Sequence, residues 1–180
     1  MDIKYRQQLG ELVKELLGEY GDACEVGVAE GNFSKDLLNM GFEKLYMVDN
    51  WATIEGVTGD GNFEQDWHDA NFTIAKGQVA QFGEKVVILR GMSDVMCKEI
   101  PDNSLNLVYL DGGHDFRTVW FDLKNYLPKL KQGGIMAGHD FGNPAYGVED
   151  AVRKFCDGKY EVHVIPENSP ENIGFWFQKI

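Results

Sequence analysis

Apolar residues recur along this chain with two periods, one helical and one extended, and the two alternate. Between residues 3 and 20, Leu9, Leu12, Val13, Leu16, Leu17 and Tyr20 fall on one helical face, with Gly21 as the stop. An extended run follows over 23–28, then a helix over about 32–40 closed by Gly41, then a strand over 44–49. Further strands are read over 85–90, 105–110 and 135–138, the last entered through Gly133-Gly134. A helix over about 115–127 places Val119, Trp120, Leu123, Tyr126 and Leu127 on one face, with Asp115 as its cap. Another helix covers about 147–156. The chain closes with strands over 160–165 and 173–178, joined across a turn-rich segment from Pro166 to Pro170.

Strands alternating with helices, with continuous apolar runs in the central strands, predict a doubly wound α/β fold. Its sheet is mostly parallel, covered on both faces, with an antiparallel edge strand. No repeat or linker interrupts 1–180, which reads as one domain. Ligands in such folds sit at the carboxyl ends of the strands, where Asp49, Arg90-Gly91, Asp111 and Asp140 fall. Residues 50–82 are too long for a simple connection. They carry Gly56, Gly59 and Gly61, then Phe63, Trp67, His68 and Phe72, with a helix from about 63 to 82, and read as a lid-like insertion.

Charge narrows the partners. The 180 residues are 43% hydrophobic and 26% charged, with a formal net charge of −12. Lys and Arg are scattered, no basic run exceeding Arg153-Lys154, which disfavours nucleic acid. No apolar run is long enough to span a membrane, and the N-terminus lacks a signal-peptide core. Cys24, Cys97 and Cys156 form no CxxC pair and read as small buried hydrophobes of a cytoplasmic protein.

The stretch Cys24-Glu-Val-Gly-Val-Ala-Glu-Gly-Asn-Phe-Ser34 reads as strand, small-residue turn and helix start. Such a turn lets backbone approach a ligand closely and aims helix N–H groups at it. Asp49 closes the next strand, and a carboxylate about 20 residues on can hold a ribose diol. These features point to an adenosine-containing cofactor. A nicotinamide fingerprint, G-x-G-x-x-G, fails at Ala29 and Asn32.

The chain resembles class I S-adenosylmethionine-dependent methyltransferases. It is most similar to a small subgroup with the pattern DGxH, LPxL, GG, HD, here Asp111-Gly-Gly-His114, Leu127-Pro-Lys-Leu130, Gly133-Gly134 and His139-Asp140. The resemblance implies that Glu25, Gly27 and Gly31 hold the methionine and ribose part of S-adenosyl-L-methionine. Ala29 stands where many members have Gly, and a negative φ would let Ala serve there. By the same resemblance Asp49 takes the ribose hydroxyls, Asn50 and Trp51 flank the adenosine, and Gly91, Met92, Ser93 and Asp94 lie at the adenine edge. Asp111 faces the transferring methyl.

Methyl transfer to an alcohol needs the nucleophile positioned and its proton removed, by a base or a metal ion. Asp111 and Asp140 close adjacent strands, and two carboxylates facing one crevice suit a hard divalent ion such as Mg²⁺. Related O-methyltransferases add a polar ligand after the second acid, whereas Phe141 follows here, leaving His114, His139, Asn143 or water to take that place. The rival arrangement is metal-free, with His114 or His139 as general base. Strand alternation points His139 away from Asp140, so His114 ranks first. His68 reads as a surface residue and His163 as structural.

The leading expectation is O-methylation of a small hydroxylated acceptor, with a sugar or glycan moiety as the first candidate. The alternatives are a non-catalytic S-adenosylmethionine-binding protein and a nicotinamide-dependent oxidoreductase. The short chain is compatible with a homo-oligomer in which a partner subunit completes the acceptor pocket.

Overall fold

Residues 1–56, 62–167 and 173–180 are described by a computed structural model of the chain. The expected glycine-rich entry at Gly59 and Gly61 and the turn after Glu167 lie outside the described residues. The helices are α1 (Leu9–Leu17), α2 (Asn32–Met40), α3 (Gln65–Val79), α4 (Ser93–Met96), α5 (Phe116–Tyr126) and α6 (Val148–Cys156). The strands are β1 (Asp22–Val26), β2 (Lys44–Asp49), β3 (Val86–Arg90), β4 (Leu105–Leu110), β5 (Leu130–Gly138), β6 (His163–Ile165) and β7 (Gly174–Gln178).

The strands form one sheet in the order β3-β2-β1-β4-β5-β7-β6. The first five run parallel, while β7 runs antiparallel to both β5 and β6 at one edge. Strand order reverses between β1 and β4, the place where such sheets leave a crevice. Register aligns the strand ends there: Val26 pairs with Val48 and Leu110, and Leu110 with Gly138.

Alternation along the strands sorts the core into two layers. Leu107 and Tyr109 join α1, α2 and α3 through Leu9, Leu12, Phe33, Leu37 and Ala75. Val108 and Leu110 face Leu123, Tyr126 and Val152 of α5 and α6. Full burial of each such side chain contributes about 1.5–3 kcal/mol.

Several boundaries depart from the sequence reading; the sixth strand, for one, begins at His163 and not at 160. The first helix is a short 3-10 turn over Arg6–Gln8 followed by α1, and it ends at Gly18, whose φ of +78° closes it one turn before Gly21. The fifth strand starts at Leu130, before Gly133-Gly134. A register shift between Leu105 and Leu107 absorbs the extra residues. Residues 65–79 form a packed helix, burying His68, Asn71, Ala75 and Val79. Among the described residues, no helix is long and apolar enough to cross a membrane.

Candidate functional site

The site begins where β1 meets β4. Gly27 holds φ +87°, and a Cβ there would collide with the backbone of Asp111 and Gly112. Only glycine lets the two strand ends come this close. Ala29 stands at φ +49°, not the negative φ expected for it. Neighbouring donors and acceptors hold it there. Asp49 Oδ2 accepts from the Val28 and Ala29 N–H groups at 2.8 and 3.0 Å, and Trp51 Nε1 donates to the Ala29 carbonyl at 2.8 Å. Asp49 Oδ1 accepts from the Trp51 N–H at 2.8 Å. A carboxylate has about four acceptor sites, so this brace leaves Asp49 capacity for a ligand hydroxyl.

Two of the residues proposed for the cofactor sit behind the loop. Glu25 is buried and accepts from the Ser34 hydroxyl of α2. Burial raises its carboxyl well above the usual range, the Ser34 hydrogen bond opposes this, and the nearby Asp111 adds to it. Gly31, at φ +75°, begins α2 and faces Ala75 of α3. Neither lines the cleft that opens in front of the loop.

That cleft has a volume of about 850 Å³. Gly27, Ala29, Asp49, Asn50 and Trp51 line it, together with Met92 and Ser93 after β3 and Asp111 and His114 after β4. Trp51 is fully buried and packs on Phe72, so it forms floor and not a free flank. Met92 is 49% exposed over the cleft, and Asn50 Nδ2 lies 3.9 Å from its sulfur. Ser93 occupies the first turn of α4, and its hydroxyl donates to Asp122 Oδ1 at 2.6 Å. His68, expected at the surface, is buried on α3 and lines the cleft beside Trp67. Trp67 in turn packs on Phe63 in a tilted arrangement, ring centroids 4.3 Å apart.

A cluster of acids and imidazoles includes Asp111 and His114, the two of its members that line the cleft. Asp140 receives His114 Nε2 at 3.1 Å on Oδ2 and His139 Nδ1 at 3.3 Å on Oδ1. His139 Nδ1 also lies 3.8 Å from Asp111, so its ring belongs to the site and does not turn away from it. The alternation rule fails because β5 ends at Gly138 and Asp140 takes φ +58°. Burial would raise the Asp140 carboxyl, but hydrogen bonds from His114 and His139, with the charge on those rings, hold it well below the usual range. Burial likewise opposes charge on His139, and Asp140 and Asp111 outweigh it, raising His139 above its ordinary value. The Asp111 carboxyl is raised by burial and by Asp140, against the pull of His139, Arg6 and His114.

Asp111, His139 and Asp140 each offer one ligand atom, all within 4.8 Å of one another. Two carboxylate oxygens and one imidazole nitrogen make a donor set a divalent cation can accept. The polar partner that Phe141 could not supply stands one residue before Asp140, not after it.

Three participants escaped the sequence reading. Arg6 places its guanidinium 3.6 Å from Asp111 and 3.4 Å from the Tyr109 hydroxyl, from a turn distant in sequence. Tyr146 stacks on His114 at 4.4 Å and lines the cleft. Asp122 is buried on α5 and reaches the cleft from below. Only its contact with Ser93, distant in sequence, marks it. Asp115 does cap α5, accepting from the Arg117 and Thr118 N–H groups.

A family model described as "Methyltransferase domain" matches residues 24–141, from the glycine turn to the end of the acid and imidazole cluster. Among solved structures, a Streptococcus mutans protein assigned as a methyltransferase, in complex with SAH, aligns over 99% of each chain. Its TM-score is 0.70 at 15% identity. A Clostridium thermocellum protein assigned as an rRNA methylase aligns over 100% of this chain and 99% of its own, with TM-score 0.68 and 15% identity. The O-methyltransferase NovP aligns over 96% of this chain and 79% of its own, with TM-score 0.63 and 21% identity. No curated protein matches the sequence.

Proposed function

Because this chain belongs to the methyltransferase domain family, we propose that it transfers the methyl group of S-adenosyl-L-methionine to a hydroxyl of a small acceptor, with a sugar or glycan moiety as first candidate. The observation that carries this reading is the Asp111–His139–Asp140 cluster beside a cleft floored by the glycine turn. The glycine turn and Asp49 bind the methionine and ribose portions, and Asn50, Met92 and Ser93 receive the adenine. The cleft carries Asp49, Asp111, Asp115 and Asp122. With a net charge of −12, that favours a cationic sulfonium and opposes a polyanion such as rRNA.

In the reaction the acceptor oxygen forms a bond to the methyl carbon as the carbon–sulfur bond breaks. S-adenosylhomocysteine leaves, and the hydroxyl proton passes to the Asp111 carboxylate. Asp111 accepts a hydrogen bond from that hydroxyl and orients it toward the methyl. Asp111, His139 and Asp140 would hold a divalent cation, which when bound supplies the acidity the alcohol lacks. Residues on both sides support this set: Arg6 faces Asp111, and His114 fixes Asp140.

A metal-free variant of the same reaction is favoured by one contact, His114 Nε2 on Asp140 Oδ2. An imidazole oriented by a carboxylate can take the proton as general base.

Calorimetric titration with S-adenosylhomocysteine, in Mg²⁺ and then in EDTA, tests the reading together with a methyl-transfer assay on hydroxylated small molecules. Binding in both media with turnover lost in EDTA is the expected result. Turnover that persists in EDTA moves the proton to His114. Absence of S-adenosylhomocysteine binding overturns the cofactor assignment.

A further inference from the structure

Helix α3 departs from the ordinary amphipathic arrangement. Its buried face mixes Ala75 and Val79 with polar His68 and Asn71. Among the described residues, His68 Nε2 and Asn71 Nδ2 find no hydrogen-bond partner. Its outer face carries Trp67 and Ile74, 42% and 43% exposed. Phe63, 47% exposed just before the helix, packs on Trp67 and lengthens this apolar stripe. Ala70 and Gly77 are exposed too, so Trp67, Ala70, Ile74 and Gly77 recur at intervals of three and four. That is the spacing of a helix–helix seam, on a face that is ordinarily polar. Gly77 is a second anomaly. A glycine inside a helix costs about 1 kcal/mol relative to alanine. Yet a Cβ at Gly77 would meet nothing within 4 Å among the described residues, so nothing in this chain requires the missing side chain.

We propose that this stripe is the seam of a homodimer, in which α3 packs antiparallel on α3 of a second copy about a two-fold axis at Ala70. The stripe is complementary to itself in three respects. Ala70, small and central, lets the two helices approach closely on the axis. Bulk at one end meets its absence at the other: antiparallel pairing sets Phe63 against the partner's Gly77 and Trp67 against the partner's Ile74. Charge pairs in the same sense. Glu64 and Asp66 lie at the start of α3, and Lys76 lies near its end. Beside that end, Lys35 of α2 donates to Gln78 Oε1 at 3.2 Å. The antiparallel arrangement brings Glu64 to the partner's Gln78 and the partner's Lys35, and it sets the two helix dipoles antiparallel. A parallel pair would set acid against acid. Each contact then occurs twice about the axis, as an isologous interface requires. Trp67 also lines the cleft, so the partner helix stands at the cleft rim. One helix pair is a small interface, and we expect a dissociation constant of roughly 1–100 µM.

Sedimentation equilibrium from about 1 to about 300 µM, a range that spans this constant, should show monomer giving way to dimer. Ile74→Glu should weaken association at least tenfold, with the fold intact by circular dichroism. Glu64→Lys and Lys35→Glu should each weaken it, and the double variant should restore it. Ala70→Cys places a thiol on the axis, and the native Cys24, Cys97 and Cys156 are all buried. Diamide should therefore link that cysteine to its counterpart in the second copy. Gly77→Cys, roughly 20 Å from its counterpart along the paired helices, should stay unlinked. A wild type that remains monomeric throughout overturns the proposal and leaves the stripe to another protein or a membrane surface. A dimer that survives Ile74→Glu, with Ala70→Cys unlinked, also overturns it, because the copies then meet elsewhere. Association is measured without S-adenosylhomocysteine, so its failure leaves the cofactor reading untouched.

Discussion

The indole Nε1 of Trp51 donates to the carbonyl of Ala29 at 2.8 Å, and both residues hold left-handed backbone, at φ +43° and +49°. Each conformation costs a non-glycine residue about 1–2 kcal/mol in isolation. Asp49 bonds the N–H of each, at 2.8 and 3.0 Å, and holds the pair in place. The turn is thus a strained unit with one carboxylate at its centre.

Ala29→Gly removes the strain at one of the two positions. We expect a stability gain of about 0.5–1 kcal/mol, somewhat offset by the freer unfolded chain, and a rise in Tm of roughly 2 °C. Thermal unfolding checks it. A lower Tm would mean that the alanine methyl contributes packing that outweighs its backbone strain.

Asp49→Ala leaves the N–H groups of Val28, Ala29 and Trp51 without their acceptor and takes away the ribose partner. Affinity for S-adenosylhomocysteine should fall at least tenfold, by roughly 1.4 kcal/mol or more. Stability should fall by about 1–3 kcal/mol. Calorimetry and urea unfolding read the two effects separately. Unchanged affinity would remove Asp49 from the cofactor site while leaving its bracing role.

Asp111→Asn should leave S-adenosylhomocysteine affinity within about threefold and lower turnover by roughly 100-fold or more, a loss typical of removing one proton-handling group. His139→Ala should abolish stimulation by Mg²⁺, whereas His114→Ala should retain it. The opposite pattern in a Mg²⁺ titration of turnover would assign the base to His114 and empty the Asp111–His139–Asp140 set of its cation.

Asp122 predicts a pH dependence of stability. Its carboxyl is raised by burial to about 6 in the folded chain, above the usual value near 3.8. A raised carboxyl stabilises the fold fully below the unfolded value and loses that contribution as pH rises through the folded one. Stability should therefore decline between about pH 4 and pH 6 by on the order of 3 kcal/mol from this group alone. Asp122→Asn removes the slope, so the variant should gain on wild type as pH rises across that window. Urea unfolding of both proteins at pH 4.5 and pH 7 measures it, and parallel pH profiles would refute it.

Much of this was legible because the chemistry sits at strand ends. Apolar runs that stop at Asp49 and Asp111, and the run that stops just short of Asp140, announce both the sheet and its row of acids. The cap at Asp115 is a local pattern and was readable for that reason. His139 was misjudged because alternation holds only while the strand continues, and β5 ends one residue earlier. Arg6 had no local signal at all: its contact with Asp111 joins a turn before α1 to the end of β4. Ala29 was expected at negative φ because sequence cannot weigh the three hydrogen bonds that hold it otherwise.

The pairing of Val26 with Leu110 joins strands separated by three α-helices and two further strands. Closing so long a loop is slow, and local contacts cannot substitute for it. The cleft floor therefore exists only in molecules that have completed the central sheet, and a partly folded chain has no cofactor site to offer. Ligand occupancy then becomes a report on global folding: S-adenosylhomocysteine should slow amide exchange in β1 and β4 as strongly as it slows whole-chain unfolding.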